Sequence, residues 1–162
     1  MSTRALVTQQ LDLYHARLQR ALEGITEEEG RRVLAGCLAP IVWQVGHLAV
    51  VDALWVQRGG GSYAVQPRYS DLFKPGTGGE ADYPALTEVW AVFSGVHEAL
   101  LKLVDEADFA KPLEHPAGAY TSVGGMLIYA CYHRGYHVGK TGTLRALLGK
   151  PLPPVPPAPR RG

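Results

Sequence analysis

This sequence of 162 residues contains only two cysteines and almost no excess charge. Cys37 and Cys131 both lie in apolar stretches, which indicates buried thiols in a reducing compartment and argues against a disulfide framework. The net charge is +1, so the chain has neither the broad basic field of a nucleic-acid-binding module nor an acidic tail. We therefore expect no nucleic-acid partner.

Long apolar runs are also missing. No stretch reaches the length of a membrane span, and the beginning of the chain lacks the apolar region and the cleavage site of a signal peptide. We therefore expect a cytoplasmic protein without a membrane partner. An alternating strand pattern and an internal repeat are likewise not evident, so the sequence predicts no β-sheet.

Apolar residues, at 46% of the chain, recur instead with helical period. Four helices are predicted, at about 3–23, 40–57, 84–106 and 122–148. Thr26 and Glu29 have the spacing of a capping box, which predicts a short helical turn after the first helix.

Four amphipathic helices in a chain of this size predict an all-α domain, a four-helix bundle over residues 1–150. A long connection at about 58–83, rich in Gly, Pro, Ser and Tyr, joins the second and third helices, and such loops are often functional. Residues 151–162 form a proline-rich tail, for which polyproline II or disorder is expected.

Histidines interrupt the apolar faces of two predicted helices. His133 and His137 are four residues apart, so their Cβ atoms lie roughly 5–6 Å apart on one inward face. His47 lies on the inward face of the second helix. A pair at this spacing can bind one metal ion, and a catalytic metal usually takes three protein ligands. A hydrogen-bonded core role, common for single buried histidines, is the competing interpretation.

Three motifs, in this order along the chain, resemble the DinB/YfiT-like family. They are Trp43-Gln44-Val45-Gly46-His47-Leu48, His133-x-x-x-His137-x-Gly139 and Leu144-Arg145-Ala146-Leu147-Leu148-Gly149-Lys150-Pro151. The resemblance implies a DinB-like four-helix bundle, a divalent metal ion bound by His47, His133 and His137, and a homodimer. Many family members have His-Arg-Gly-Gln at the second histidine of the last helix, whereas this chain has His137-Val138-Gly139-Lys140.

The same resemblance implies thiol S-transferase chemistry, in which a low-molecular-weight thiol reacts as its thiolate with an electrophilic co-substrate. Three neutral imidazoles would leave the ion its full charge and open positions, as a Lewis acid requires. Zinc or nickel is the expected ion. Lys140 and Arg134 are the candidate contacts for the carboxylates of the thiol, and no catalytic side chain is assigned.

Two other functions stay open. A metal-dependent hydrolase would need a general base, and no Asp or Glu is obviously placed near the three histidines. A non-catalytic stress-response bundle would use the metal only for structure. Among the remaining polar residues, we expect His97 to occupy a core or surface position and Asp52 to form a cap or salt bridge. His115, in a proline-rich loop, is a weaker candidate for the site.

Overall fold

The computed structural model describes residues 1–34, 39–117 and 119–152. These residues form six helices and a two-stranded sheet, namely α1 (Thr3–Leu22), α2 (Glu27–Arg31), α3 (Ile41–Arg58), α4 (Pro67–Phe73), α5 (Leu86–Glu106), β1 (Pro112–Ala117), β2 (Tyr120–Ser122) and α6 (Val123–Leu147). Cys131 carries a free, half-buried thiol. Cys37 and the tail from residue 153 onward lie outside the described residues.

The four long helices are the ones predicted from apolar periodicity, and they pack on one another. Helix α3 contacts α5 and α6, and α1 contacts the same two helices. Two clusters of buried apolar side chains fill the space between them, one around Val45 and Phe93 and the other around Leu11 and Met126. The predicted helical fold is therefore confirmed, although the described residues hold six helices rather than four.

The helix ends follow local sequence signals. Thr26 and Glu29 make the predicted capping box. The Thr26 hydroxyl accepts from the backbone N–H of Glu29 at 3.2 Å, and the Glu29 carboxylate accepts from the backbone N–H of Thr26 at 2.9 Å. Ser122 accepts a hydrogen bond from the backbone N–H of Gly125 at the start of α6. Gly149, with φ of +76°, follows the end of the same helix, where glycine adopts the left-handed conformation without steric cost.

Both predicted loops contain regular structure. Helix α4 lies inside the long connection and buries Tyr69 and Phe73 against the core. The proline-rich loop that holds His115 contains an antiparallel hairpin, β1–β2, so the prediction of no β-sheet was wrong. The hairpin escaped prediction because it is short, is irregular in register and lacks an alternating apolar pattern.

The sequence predicts no membrane span. Within the described part of the chain, no helix combines the length and the apolar character needed to cross a membrane.

Candidate metal centre

Helices α3 and α6 bring three histidine side chains together. His47, His133 and His137 each offer one ring nitrogen, and these three nitrogens lie within 4.8 Å of one another. The ring centroids of His133 and His137 are 4.5 Å apart, and that of His47 lies 4.8 Å from His137 and 5.2 Å from His133. His47 and His137 are buried and His133 is half-buried. The spacing of four residues thus places one pair on the face of α6 that meets α3.

Two of these rings are oriented through Nδ1. The Nδ1 atom of His47 lies 2.7 Å from the carbonyl oxygen of Phe73, which only accepts hydrogen bonds, so this nitrogen carries the proton. The Nδ1 atom of His137 lies 2.6 Å from Oε1 of Gln44. In both rings the proton on Nδ1 leaves the Nε2 lone pair free, which is the arrangement typical of metal-ligating histidines.

His133 differs from the other two because its Nδ1 atom is buried and has no hydrogen-bond partner among the described residues. An unpaired buried nitrogen is costly in free energy, on the order of 1–3 kcal/mol. A divalent ion fits this donor set, because each of the three histidines offers an imidazole nitrogen, a ligand that suits such ions. The residues present therefore fit a metal ion.

Burial keeps the three imidazoles neutral. Desolvation, together with the charges that the neighbouring imidazoles would carry, lowers the pKa of His133 to about 4 and that of His137 to about 2. Desolvation also lowers the pKa of His47, against the opposing hydrogen bond to Phe73. Neutral imidazole is the form that ligates a metal, so the site is ready for an ion at neutral pH.

A cavity of about 350 Å³ opens beside the three histidines. Its other lining residues are Trp43, Pro75, Gly76, Tyr129, Tyr132, Tyr136 and Lys140. Tyr132 and Tyr136 are 65% and 48% exposed, and the Nζ atom of Lys140 lies 4.5 Å from the centre of the Tyr136 ring. Among the described residues that line this cavity, one is a cation and none is a carboxylate.

Volume alone does not locate this site. A larger surface hollow, of about 480 Å³, lies beside the glycines at 59–61, but its described lining contains no histidine.

Arg134 does not line the cavity. Its side chain is fully buried, and its Nε atom donates to Oδ2 of Asp52 at 2.7 Å. Its Nη1 atom donates to Nδ1 of His97 at 2.9 Å and to the carbonyl of Leu11 at 3.3 Å. The expected contact between Arg134 and a substrate carboxylate is therefore not supported, whereas Lys140 does lie at the cavity.

The other candidates belong neither to the group of three histidines nor to the lining of the cavity. Asp52 forms the expected salt bridge, and His97 is a buried core residue whose Nε2 atom lies 3.2 Å from Oδ1 of Asp12. His115 is exposed in β1 and is not one of the grouped ligands.

Gln44 and the backbone carbonyl of Phe73 are site groups that the sequence interpretation missed. The signal for Gln44 was present, because it and His47 are the only polar side chains in the apolar run 41–51. No comparable signal marks Phe73, whose role is played by its main chain.

Fold and site together define a helical bundle with a three-imidazole candidate metal centre between two of its helices. The chain belongs to the DinB superfamily, whose family model matches residues 10–140. A solved structure described as the conserved protein of a locus from Enterococcus faecalis is similar, with a TM-score of 0.66 and 15% identity. The likeness covers 93% of this chain and 99% of that one, and at this identity it shows the fold alone. No curated protein matches the sequence significantly.

Proposed function

We propose that this protein binds one divalent metal ion through His47, His133 and His137 and transfers low-molecular-weight thiols to electrophilic co-substrates. The convergence of three ring nitrogens within 4.8 Å is the observation that carries the proposal. Imidazole ligands suit zinc or nickel better than the hard cations magnesium and calcium. When bound, the ion supplies a Lewis acid that lowers the pKa of a coordinated thiol.

The charges around the cavity favour an anionic thiol. Three neutral imidazoles leave the charge of a divalent ion unbalanced, and Lys140 adds one positive charge without a carboxylate among the described lining residues. A thiol that carries carboxylates would balance the charges of the ion and of Lys140, with one carboxylate forming an ion pair with the Lys140 ammonium. Glutathione and bacillithiol carry such carboxylates; mycothiol, the third candidate that we consider, carries none and would not use the Lys140 contact.

The cavity walls suit the apolar part of a co-substrate. Trp43, Tyr129 and Tyr132 line the cavity and present aromatic surface next to the three histidines. Their role in this proposal is to orient the electrophile against the sulfur of the thiol.

The two alternative functions are less well supported. Hydrolysis needs a general base, and the described lining offers no carboxylate. A purely structural metal usually has four protein ligands, whereas the group found in the described residues has three and borders an open cavity. A cytoplasmic homodimer is part of our proposal, and light scattering of the purified protein tests the dimer.

Thiol consumption with a chromogenic electrophile tests the proposed activity. Each of the three thiols is assayed with metal-loaded protein, with chelator-treated protein and with the variants His137→Ala and His115→Ala. We expect metal-dependent acceleration with at least one thiol, its loss in His137→Ala, and its retention in His115→Ala, where the exposed side chain lies outside the ligand group. The absence of metal-dependent acceleration with all three thiols would remove the transferase proposal.

A further inference from the structure

We infer that Gln44 is a positioning residue that holds His137 in the Nδ1–H tautomer, so that the Nε2 atom of His137 is the ligand. The inference rests on the metal binding proposed above, but it concerns a side chain to which that proposal gives no role. Gln44 lies on α3, three residues before His47, and it is fully buried.

The hydrogen bonds of Gln44 determine which way its amide points. Its Nε2 atom donates to the carbonyl of Ala39 at 2.9 Å, and a carbonyl oxygen accepts only from this end of the amide. The Oε1 atom therefore faces His137, at 2.6 Å from Nδ1. Because an amide oxygen cannot donate, His137 must place its proton on Nδ1, and Nε2 keeps its lone pair.

The three candidate ligands differ in the hydrogen-bond acceptor at the Nδ1 atom of each ring. The acceptor for His47 is a backbone carbonyl, which no substitution removes. The Nδ1 atom of His133 has no hydrogen-bond partner in the part of the chain that the structure describes. Gln44 is thus the side chain, among the described residues, that orients a candidate ligand through a direct hydrogen bond. A histidine free in water prefers its proton on Nε2, so an acceptor at Nδ1 is needed to favour the ligating tautomer.

Two substitutions separate orientation from packing. Gln44→Met keeps the length of the side chain and removes the acceptor. Gln44→Glu keeps an oxygen facing His137, and its second oxygen can carry a proton that replaces the donor to Ala39. Loss of an outer-shell acceptor typically weakens metal binding by roughly 10- to 100-fold.

The measurements are the zinc affinity of each folded variant, by chelator competition, and the tautomer of His137 in the metal-free protein, by long-range ¹⁵N–¹H correlation spectra. We expect Nδ1–H in the wild type and in Gln44→Glu, and a shift toward Nε2–H in Gln44→Met. We also expect zinc affinity to fall by about 10-fold or more in Gln44→Met and to be retained in Gln44→Glu. A purely structural role would lower the stability of both variants and leave the tautomer unchanged.

Several outcomes would overturn the inference. They are an Nε2–H tautomer in the wild type, equal zinc affinities of the wild type and Gln44→Met, or an equal loss in both variants. The wild-type spectrum decides the matter even if Gln44→Met does not fold. Failure of the proposed function is distinct, since it would appear as a wild type that binds no metal or consumes no thiol while the tautomer of His137 is as inferred.

Discussion

Arg134, directly after the candidate ligand His133, is an arginine without exposed side-chain surface. It forms a buried ion pair with Asp52, and its remaining hydrogen bonds reach His97 on α5 and a backbone carbonyl on α1. The guanidinium thus connects three helices to the segment of α6 that carries the histidines. Within residues 1–34, 39–117 and 119–152, one oxygen of Asp52 and one nitrogen of Arg134 have no hydrogen-bond partner.

Removing one partner of this pair should destabilise the fold strongly. We expect Asp52→Ala to lower the free energy of unfolding by about 3–5 kcal/mol, because the Arg134 charge is left buried and unpaired. The double variant Asp52→Leu with Arg134→Met should lose much less, since no buried charge remains. Urea unfolding of both variants measures the difference. A double variant that is less stable than Asp52→Ala would contradict this account of the pair.

At the scale of elements, α4 contacts the candidate metal centre through α3. The carbonyl of Phe73, the last residue of α4, accepts the hydrogen bond from His47, and the Phe73 ring packs against Gly46. A Cβ atom at position 46 would overlap this ring. The absence of a side chain at Gly46 is therefore what lets α4 approach and support a candidate ligand.

Gly46→Ala should weaken both the fold and metal binding. We expect a loss of about 1–3 kcal/mol in the free energy of unfolding, because Phe73 must move and the hydrogen bond to His47 is disturbed. Gly142→Ala on α6 is the matched control, since its Cβ would meet no atom of a described residue within 4 Å. That variant should gain about 0.5–1 kcal/mol from helix propensity alone. Equal stabilities of the two variants, measured by urea unfolding, would show that the approach of α4 is not tight.

The elements themselves were predictable to different degrees. The long helices follow from apolar periodicity, and the spacing of His133 and His137 places them on one face. Pro67 was an available start signal for α4, because proline favours the first turn of a helix. The contacts of Gln44 with His137 and of Arg134 with Asp52 depend on how α3 and α6 lie against each other, which no local pattern encodes.

At the scale of the whole molecule, several buried histidines are neutral in the folded state. Desolvation and the nearby charge of Arg134 together lower the pKa of His97 to about 3. His133 and His137 are lowered likewise, to about 4 and about 2, from an ordinary value of 6.5. At a pH between these lowered pKa values and 6.5, the unfolded chain binds more protons than the folded one. The free energy of unfolding must therefore fall as the pH falls below about 6.5.

We therefore expect the metal-free protein to lose stability steadily from neutral pH toward about pH 4. Each histidine contributes a slope of about 1.4 kcal/mol per pH unit once its unfolded form is fully protonated. His97→Asn should reduce the slope of the free energy of unfolding against pH by the contribution of one proton, because it removes one of these histidines. Denaturant unfolding over this pH range gives the slopes. A free energy of unfolding that is constant or rises on acidification would contradict the buried neutral state.

The metal content of the purified, untagged protein tests the central claim most directly. Elemental analysis of the wild type, His47→Ala and His115→Ala should give near one divalent ion per chain in the first and last. His47→Ala should contain much less metal, because α3 then no longer provides a ligand nitrogen beside those of His133 and His137. Equal metal content in His47→Ala and the wild type, or no metal in the wild type after incubation with zinc or nickel, would contradict the account.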